Sequence, residues 1–133
     1  VEPNRLMIGH QGHLDDREND EANEYHINIA KLGCYLQFDR VGSKNYDFDK
    51  QARQIQYLVS RGFLRQIVVS HDYVPYFYAN YMKSEKKVDA WRKGTSDYSL
   101  VSTKLVASLK KDDMSSSDIR TILVSNPQRC LAF

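Results

Sequence analysis

Apolar positions along the chain gather into three short runs, each stopping at an ionisable residue. Leu6-Met7-Ile8-Gly9 ends in His10, Cys34-Tyr35-Leu36-Gln37-Phe38 ends in Asp39-Arg40, and Ile67-Val68-Val69-Ser70 ends in His71-Asp72. Runs of four or five residues have the length of buried strands, although the runs alone do not separate strand from helix. The segments between them decide. Across residues 18–32, Ala22, Tyr25, Ile29 and Leu32 recur at steps of three and four, one face of a helix that Gly33 closes. Across residues 49–61, Ala52, Ile55, Leu58 and Val59 repeat such a face, and Gly62 closes it. Strand, helix, glycine, strand, helix, glycine, strand predicts parallel βαβ units. His10 and Asp39 stand 29 positions apart and Asp39 and Asp72 33, each the length of one βα unit.

Residues 74–99 break this pattern. They are rich in Tyr, Phe, Lys and Ser, with Trp91 and Gly94 and no clear period. A loop of that length in a compact domain is usually a lid or a binding loop, a poorly ordered insertion being the alternative. Two helices close the chain: residues 100–110, and residues 119–124 behind the capping run Ser115-Ser116-Ser117-Asp118. Asn126-Pro127 is expected to end the second. The 133 residues read as a single domain, with no low-complexity segment and no second boundary.

Composition narrows the function classes a little. Nineteen basic against 17 acidic side chains leave a net charge of +2, which argues against a nucleic-acid binder. A small-molecule enzyme and an interaction module both remain open. No apolar run approaches the ~20 residues of a membrane span. The amino terminus has no basic region followed by an apolar core, so no signal peptide is expected. Val1 in place of a starting Met suits a chain that was processed, trimmed or cut from something larger. Two cysteines, Cys34 and Cys130, are too few for a disulfide scaffold, and both read as core residues. A reduced, cytoplasmic setting follows as the expectation.

In parallel α/β proteins ligands bind at the carboxyl ends of the strands, the edge where all three runs place ionisable groups. Imidazole and carboxylate are the usual ligands of zinc and similar ions, so His10 and Asp72 can share a metal site. A hydrogen-bonded strand-end histidine is the competing account of His10, and the pattern alone leans towards it. His13 reads as solvated and His26, one position after Tyr25, as a surface residue. The acidic run from Asp15 to Glu24 suits a helix amino terminus and lacks the spacing of a calcium loop. Neither a phosphate-cradling glycine loop nor a serine nucleophile elbow is present.

Taken together, Ile8-Gly9-His10, the run from Gly33 to Arg40, Ile67-Val68-Val69-Ser70-His71-Asp72-Tyr73 and Asn126-Pro127 resemble the phosphotriesterase family. That family belongs to the metal-dependent amidohydrolase superfamily. The order and spacing are similar to those of the last three βα units of its (β/α)8 barrel, over essentially the whole chain. The resemblance implies a hydrolase that uses a metal-bridging hydroxide, with two divalent ions, expected to be zinc. By the same resemblance, His10 would ligate the more exposed ion. Asp72 would ligate the more buried one and shuttle a proton. Arg40, in Phe-Asp-Arg, points to the lactonase branch rather than the organophosphate-degrading enzymes. Arg40, His71 and Tyr73 would contact a small lactone or ester substrate, and residues 74–99 would shape the leaving-group side.

The family's His-x-His pair, bridging lysine and further histidine lie on earlier strands and are not in this chain. A full barrel needs roughly 200 residues or more, so three units cannot close one. A C-terminal fragment of a lactone- or ester-hydrolysing enzyme is therefore the expected reading. The alternatives are a phosphotriester hydrolase or a non-enzymatic α/β binding or assembly module. The remaining barrel segment, or further copies of the chain, would cover the exposed strand edges. The 133 residues alone are expected to be inactive and to hold zinc weakly.

Overall fold

The computed structural model describes residues 2–12, 19–41, 47–71 and 98–132. The strands are β1 (Met7–Ile8), β2 (Tyr35–Phe38) and β3 (Ile67–Val69), all parallel and in the spatial order β1-β2-β3. Met7 pairs with Tyr35, Leu36 with Ile67 and Phe38 with Val69, so the three carboxyl ends come to one edge. Helix α1 (Asn19–Lys31) joins β1 to β2, and α2 (Phe48–Ser60) joins β2 to β3. This is the βαβαβ order expected from the apolar runs. Residues 74–97 lie outside the described residues; Tyr98 and Ser99 form a turn.

The two helices stop where the sequence says they should. Gly33 and Gly62 follow them at φ +88° and +89°, a left-handed conformation that costs glycine little. Asp47 caps α2, its carboxylate accepting from the Lys50 N–H at 3.0 Å. Alternation along β2 then divides the sheet into two faces. Leu36 and Phe38, both fully buried, pack with Ala52, Ile55 and Leu58 of α2 in the main core. Gln37 and Asp39 point the other way. Gln37 donates from Nε2 to the Ser70 hydroxyl at 3.0 Å, tying the ends of β2 and β3 together.

Three expectations need correction. First, the opening run is not a buried strand: Leu6 and Met7 are each more than a third exposed, because β1 is an edge. No strand flanks its outer side among the described residues. Second, the buried stripe of α1 is Ala22, His26 and Ala30, whereas Tyr25 is 39% exposed and Leu32 68%. His26 is therefore interior, not surface. An apolar count rotates the stripe because it scores a histidine as polar and an exposed tyrosine as apolar. Third, Asn126-Pro127 does not end the last helix, and Cys130 beyond it is half-buried rather than in the core. Cys34 is buried as expected.

The last helix survives its proline through a change of winding. Helix α3 (Val106–Lys111) follows a wide π-type turn, Val101–Leu105, and α4 (Ser116–Arg120) leads into another, Thr121–Ser125. Helix α5 (Asn126–Cys130) continues directly from the second, with Pro127 in its first turn, next to the change of winding. Asn126 is fully buried there and donates from Nδ2 to the carbonyls of Leu64 (2.8 Å) and Ile67 (2.5 Å). That side chain fastens the carboxyl-terminal helix to the start of β3. Asn126→Ala would take the side-chain donor from both carbonyls, Leu64 keeping the Ile67 N–H, and should cost about 1–3 kcal/mol in urea unfolding.

Candidate functional site

The carboxyl edge of the sheet carries the candidate chemistry. At the end of β2, Asp39 is only 4% exposed, and a carboxylate so buried requires donors. His10, just past β1, supplies two of them. Its backbone N–H lies 3.1 Å from Asp39 Oδ2, and its ring Nδ1 lies 2.9 Å from Oδ2 and 3.1 Å from Oδ1. The carboxylate thus fixes both the main chain and the ring of His10. With Nδ1–H donating to Asp39, the neutral imidazole carries its lone pair on Nε2. The ring is more than half exposed. A carboxylate behind one nitrogen, turning the other outward, is how proteins orient and strengthen a metal-ligating histidine.

Backbone conformation marks the same two strand ends. His10 has φ 61° and Arg40 φ 58°, left-handed values that are uncommon for residues other than glycine. Strain of this kind persists where surrounding contacts over-determine it, and it gathers at functional sites. Here it turns two adjacent strand ends sharply at the residues that were expected to bear chemistry.

The other expected site residues are placed differently. His71, after β3, accepts at Nε2 from the Val101 N–H at 3.4 Å, and its ring stands edge-on to Tyr98 at 5.9 Å. It contacts the start of the carboxyl-terminal helices. Asp72, Tyr73 and His13 lie outside the described residues. Among the described residues no group of three or more His, Cys, Asp and Glu side chains is arranged to hold a metal ion. His10 on its Asp39 support fits the part of one ligand, and further ligands would have to come from elsewhere.

Two contributors went unread in the sequence. Gln11, 3% exposed, turns its side chain back so that Nε2 donates to the Gly9 carbonyl at 2.7 Å. His26, rising from α1, donates from Nε2 to the Gln11 carbonyl at 3.1 Å and packs its ring 5.3 Å from that of Phe38. Desolvation by burial lowers its pKa from 6.5 to about 4, against a smaller upward pull from the bond to Gln11. A histidine four residues from an alanine on either side, Ala22 and Ala30, was the available signal.

Residues 3–131 match the sequence model of the phosphotriesterase family. The chain is a member of that family. Among curated relatives of this phosphotriesterase-family chain, an N-acetyltaurine hydrolase of Dictyostelium discoideum is 30% identical over 96% of it and 33% of the relative. An aryldialkylphosphatase of Saccharolobus solfataricus is 26% identical over 97% of it and 39% of the relative. Among solved structures, the phosphotriesterase from Mycobacterium tuberculosis superposes with a TM-score of 0.76 at 27% identity, covering 98% of this chain and 37% of that one. The chain thus spans between about a third and two fifths of the lengths of these relatives. Its three parallel strands and their helices form a sector of the (β/α)8 barrel those proteins share. No helix among the described residues is long and apolar enough to cross a membrane.

Proposed function

We propose that the chain contributes part of the active site of a metal-dependent hydrolase acting on lactones or esters. The observation that supports this most is His10, held by a buried carboxylate at the catalytic edge of a phosphotriesterase-family barrel sector. Its Nε2 would ligate a divalent ion, zinc being the expected metal. Asp72 would supply a second ligand and accept the proton of the attacking water. Arg40 at the end of β2, with His71 and Tyr73, would face the substrate. The metal, when bound, polarises the acyl carbonyl and makes water acidic enough to attack at neutral pH. The rest of the barrel would cover the open edges of β1 and β3.

A second reading is hydrolysis of an anionic N-acyl amide, favoured by the 30%-identical relative that is named an N-acetyltaurine hydrolase. Arg40 would suit it, since a guanidinium binds carboxylates and other oxyanions in a planar fork. Phosphotriester hydrolysis ranks third, through the aryldialkylphosphatase relative.

The coding sequence upstream of Val1 provides the first test. A His-x-His pair, a strand-end Lys and a further strand-end His support the proposal, and an upstream region without them sinks it. The encoded protein is then assayed on lactones, aryl esters, N-acyl amino sulfonates and dialkyl aryl phosphates, with and without chelator. Lactone or ester turnover that chelation abolishes and zinc restores is the expected result. Metal-independent turnover, or none on any substrate, overturns it. In that protein Asp39→Asn should weaken zinc binding by about 10–100-fold, read by competition with a chromophoric chelator.

A further inference from the structure

Helix α1 contributes to the site at a distance. His26 is fully buried between Ala22 and Ala30, a position where an apolar side chain would be the default. An imidazole there costs desolvation, and the atom that repays any of it is Nε2, on the Gln11 carbonyl. Its Nδ1 has no hydrogen-bond partner among the described residues. One bond therefore accounts for the polar choice, and that bond ends on the residue immediately after His10.

On its other side His10 is held in a matching way. The Gly9 carbonyl accepts from the Gln11 side chain, so the carbonyls of both neighbours of His10 are tied down. Asp39 holds the N–H and ring of His10 itself. A left-handed, non-glycine residue would relax without such bracing, and these contacts give it one conformation.

We propose that His26 is a positioning residue for His10, acting through the main chain of Gln11. The functional meaning rests on the reading of His10 as a metal ligand, but the mechanical coupling does not. Remove the Nε2 donor and the turn at residues 9–11 loses its attachment to α1. The ring of His10 then samples orientations that release Nδ1 from Asp39.

The test uses the 133-residue chain without metal or substrate, at pH 7.5, by NMR of the histidine rings and by backbone hydrogen exchange. In the native chain, His10 should show the Nδ1-protonated tautomer and a protected backbone N–H. His26→Leu keeps the apolar contact with Phe38 and should give a mixed His10 tautomer. The His10 N–H should exchange at least about tenfold faster while the amides of β2 keep their protection. His26→Gln, which offers an amide donor, should restore much of the native behaviour. Gln11→Ala keeps the bond from His26 but frees the Gly9 carbonyl, and should loosen His10 even if His26→Leu does not fold. An unchanged His10 tautomer and exchange rate in His26→Leu, or in His26→Met where His26→Leu does not fold, would overturn the proposal. So would a uniform loss of protection across the sheet, which marks a merely structural role. Because the readouts are ring tautomer and amide exchange rather than activity, failure of the hydrolase reading would leave these results standing, and the converse holds.

Discussion

Phe38→Ala should cost about 3–5 kcal/mol, a large share of the about 5–15 kcal/mol that small domains hold in all. Phe38 is fully buried on the central strand, part of the cluster that joins β2 to α2 and the carboxyl-terminal helices. Its ring also lies against His26. Truncation would open a cavity in the core and strip the packing from a buried imidazole. Neither loss can be recovered by collapse, because β2 is paired on both sides and cannot shift. Leu32→Ala is the matched control: 68% exposed at the end of α1, it should change stability by no more than about 0.5 kcal/mol. Urea unfolding followed by far-UV circular dichroism checks both. Equal effects would mean that the buried face of α1 is the one carrying Leu32.

The contrast between those two positions shows what the sequence could and could not reveal. Strand positions were legible because a buried parallel strand needs a mostly apolar run, and Leu36, Phe38, Ile67 and Val68 supply it. Helix ends were legible because Gly33 and Gly62 are conformational stops. The buried face of α1 was not, because hydrophobicity scales cannot say that His26 finds a main-chain acceptor and Tyr25 does not need to be buried. The continuation past Pro127 was hidden for a similar reason. It goes with the π-type turn Thr121–Ser125, which ends two residues before Pro127 and has no local sequence mark.

For the site, the residue types at the strand ends were readable and their relations were not. His10 and Asp39 stand 29 positions apart, and that spacing alone does not pair them. Parallel pairing of β1 with β2 brings them into direct contact. That resolves the choice left open for His10 in an unexpected way. It is a hydrogen-bonded strand-end histidine, and the bond it makes is the one that would prepare Nε2 for a metal. The two accounts describe opposite sides of one ring.

Acid should destabilise the chain through His26, and the sign follows from its burial. The pKa is about 4 in the folded state and 6.5 in a solvated chain, so between those values the unfolded state binds more protons. Stability from this group is therefore intact above about pH 6.5 and falls as the pH drops towards 4. A difference of about two and a half units corresponds to about 3 kcal/mol. The bond to the Gln11 carbonyl works in the opposite direction, because that carbonyl accepts more strongly from an imidazolium than from an imidazole. Burial outweighs it. Urea unfolding at pH 7, 6, 5 and 4.5 should thus show a progressive fall in midpoint, and His26→Leu should remove most of that slope. The site would respond over the same range. A protonated His26 favours unfolding, or opening of the contact between α1 and the turn at residues 9–11, and either releases His10 from its fixed conformation. If the slope is equally steep without His26, the carboxylates carry the acid response, and the imidazole is better solvated than its place between Ala22 and Ala30 implies.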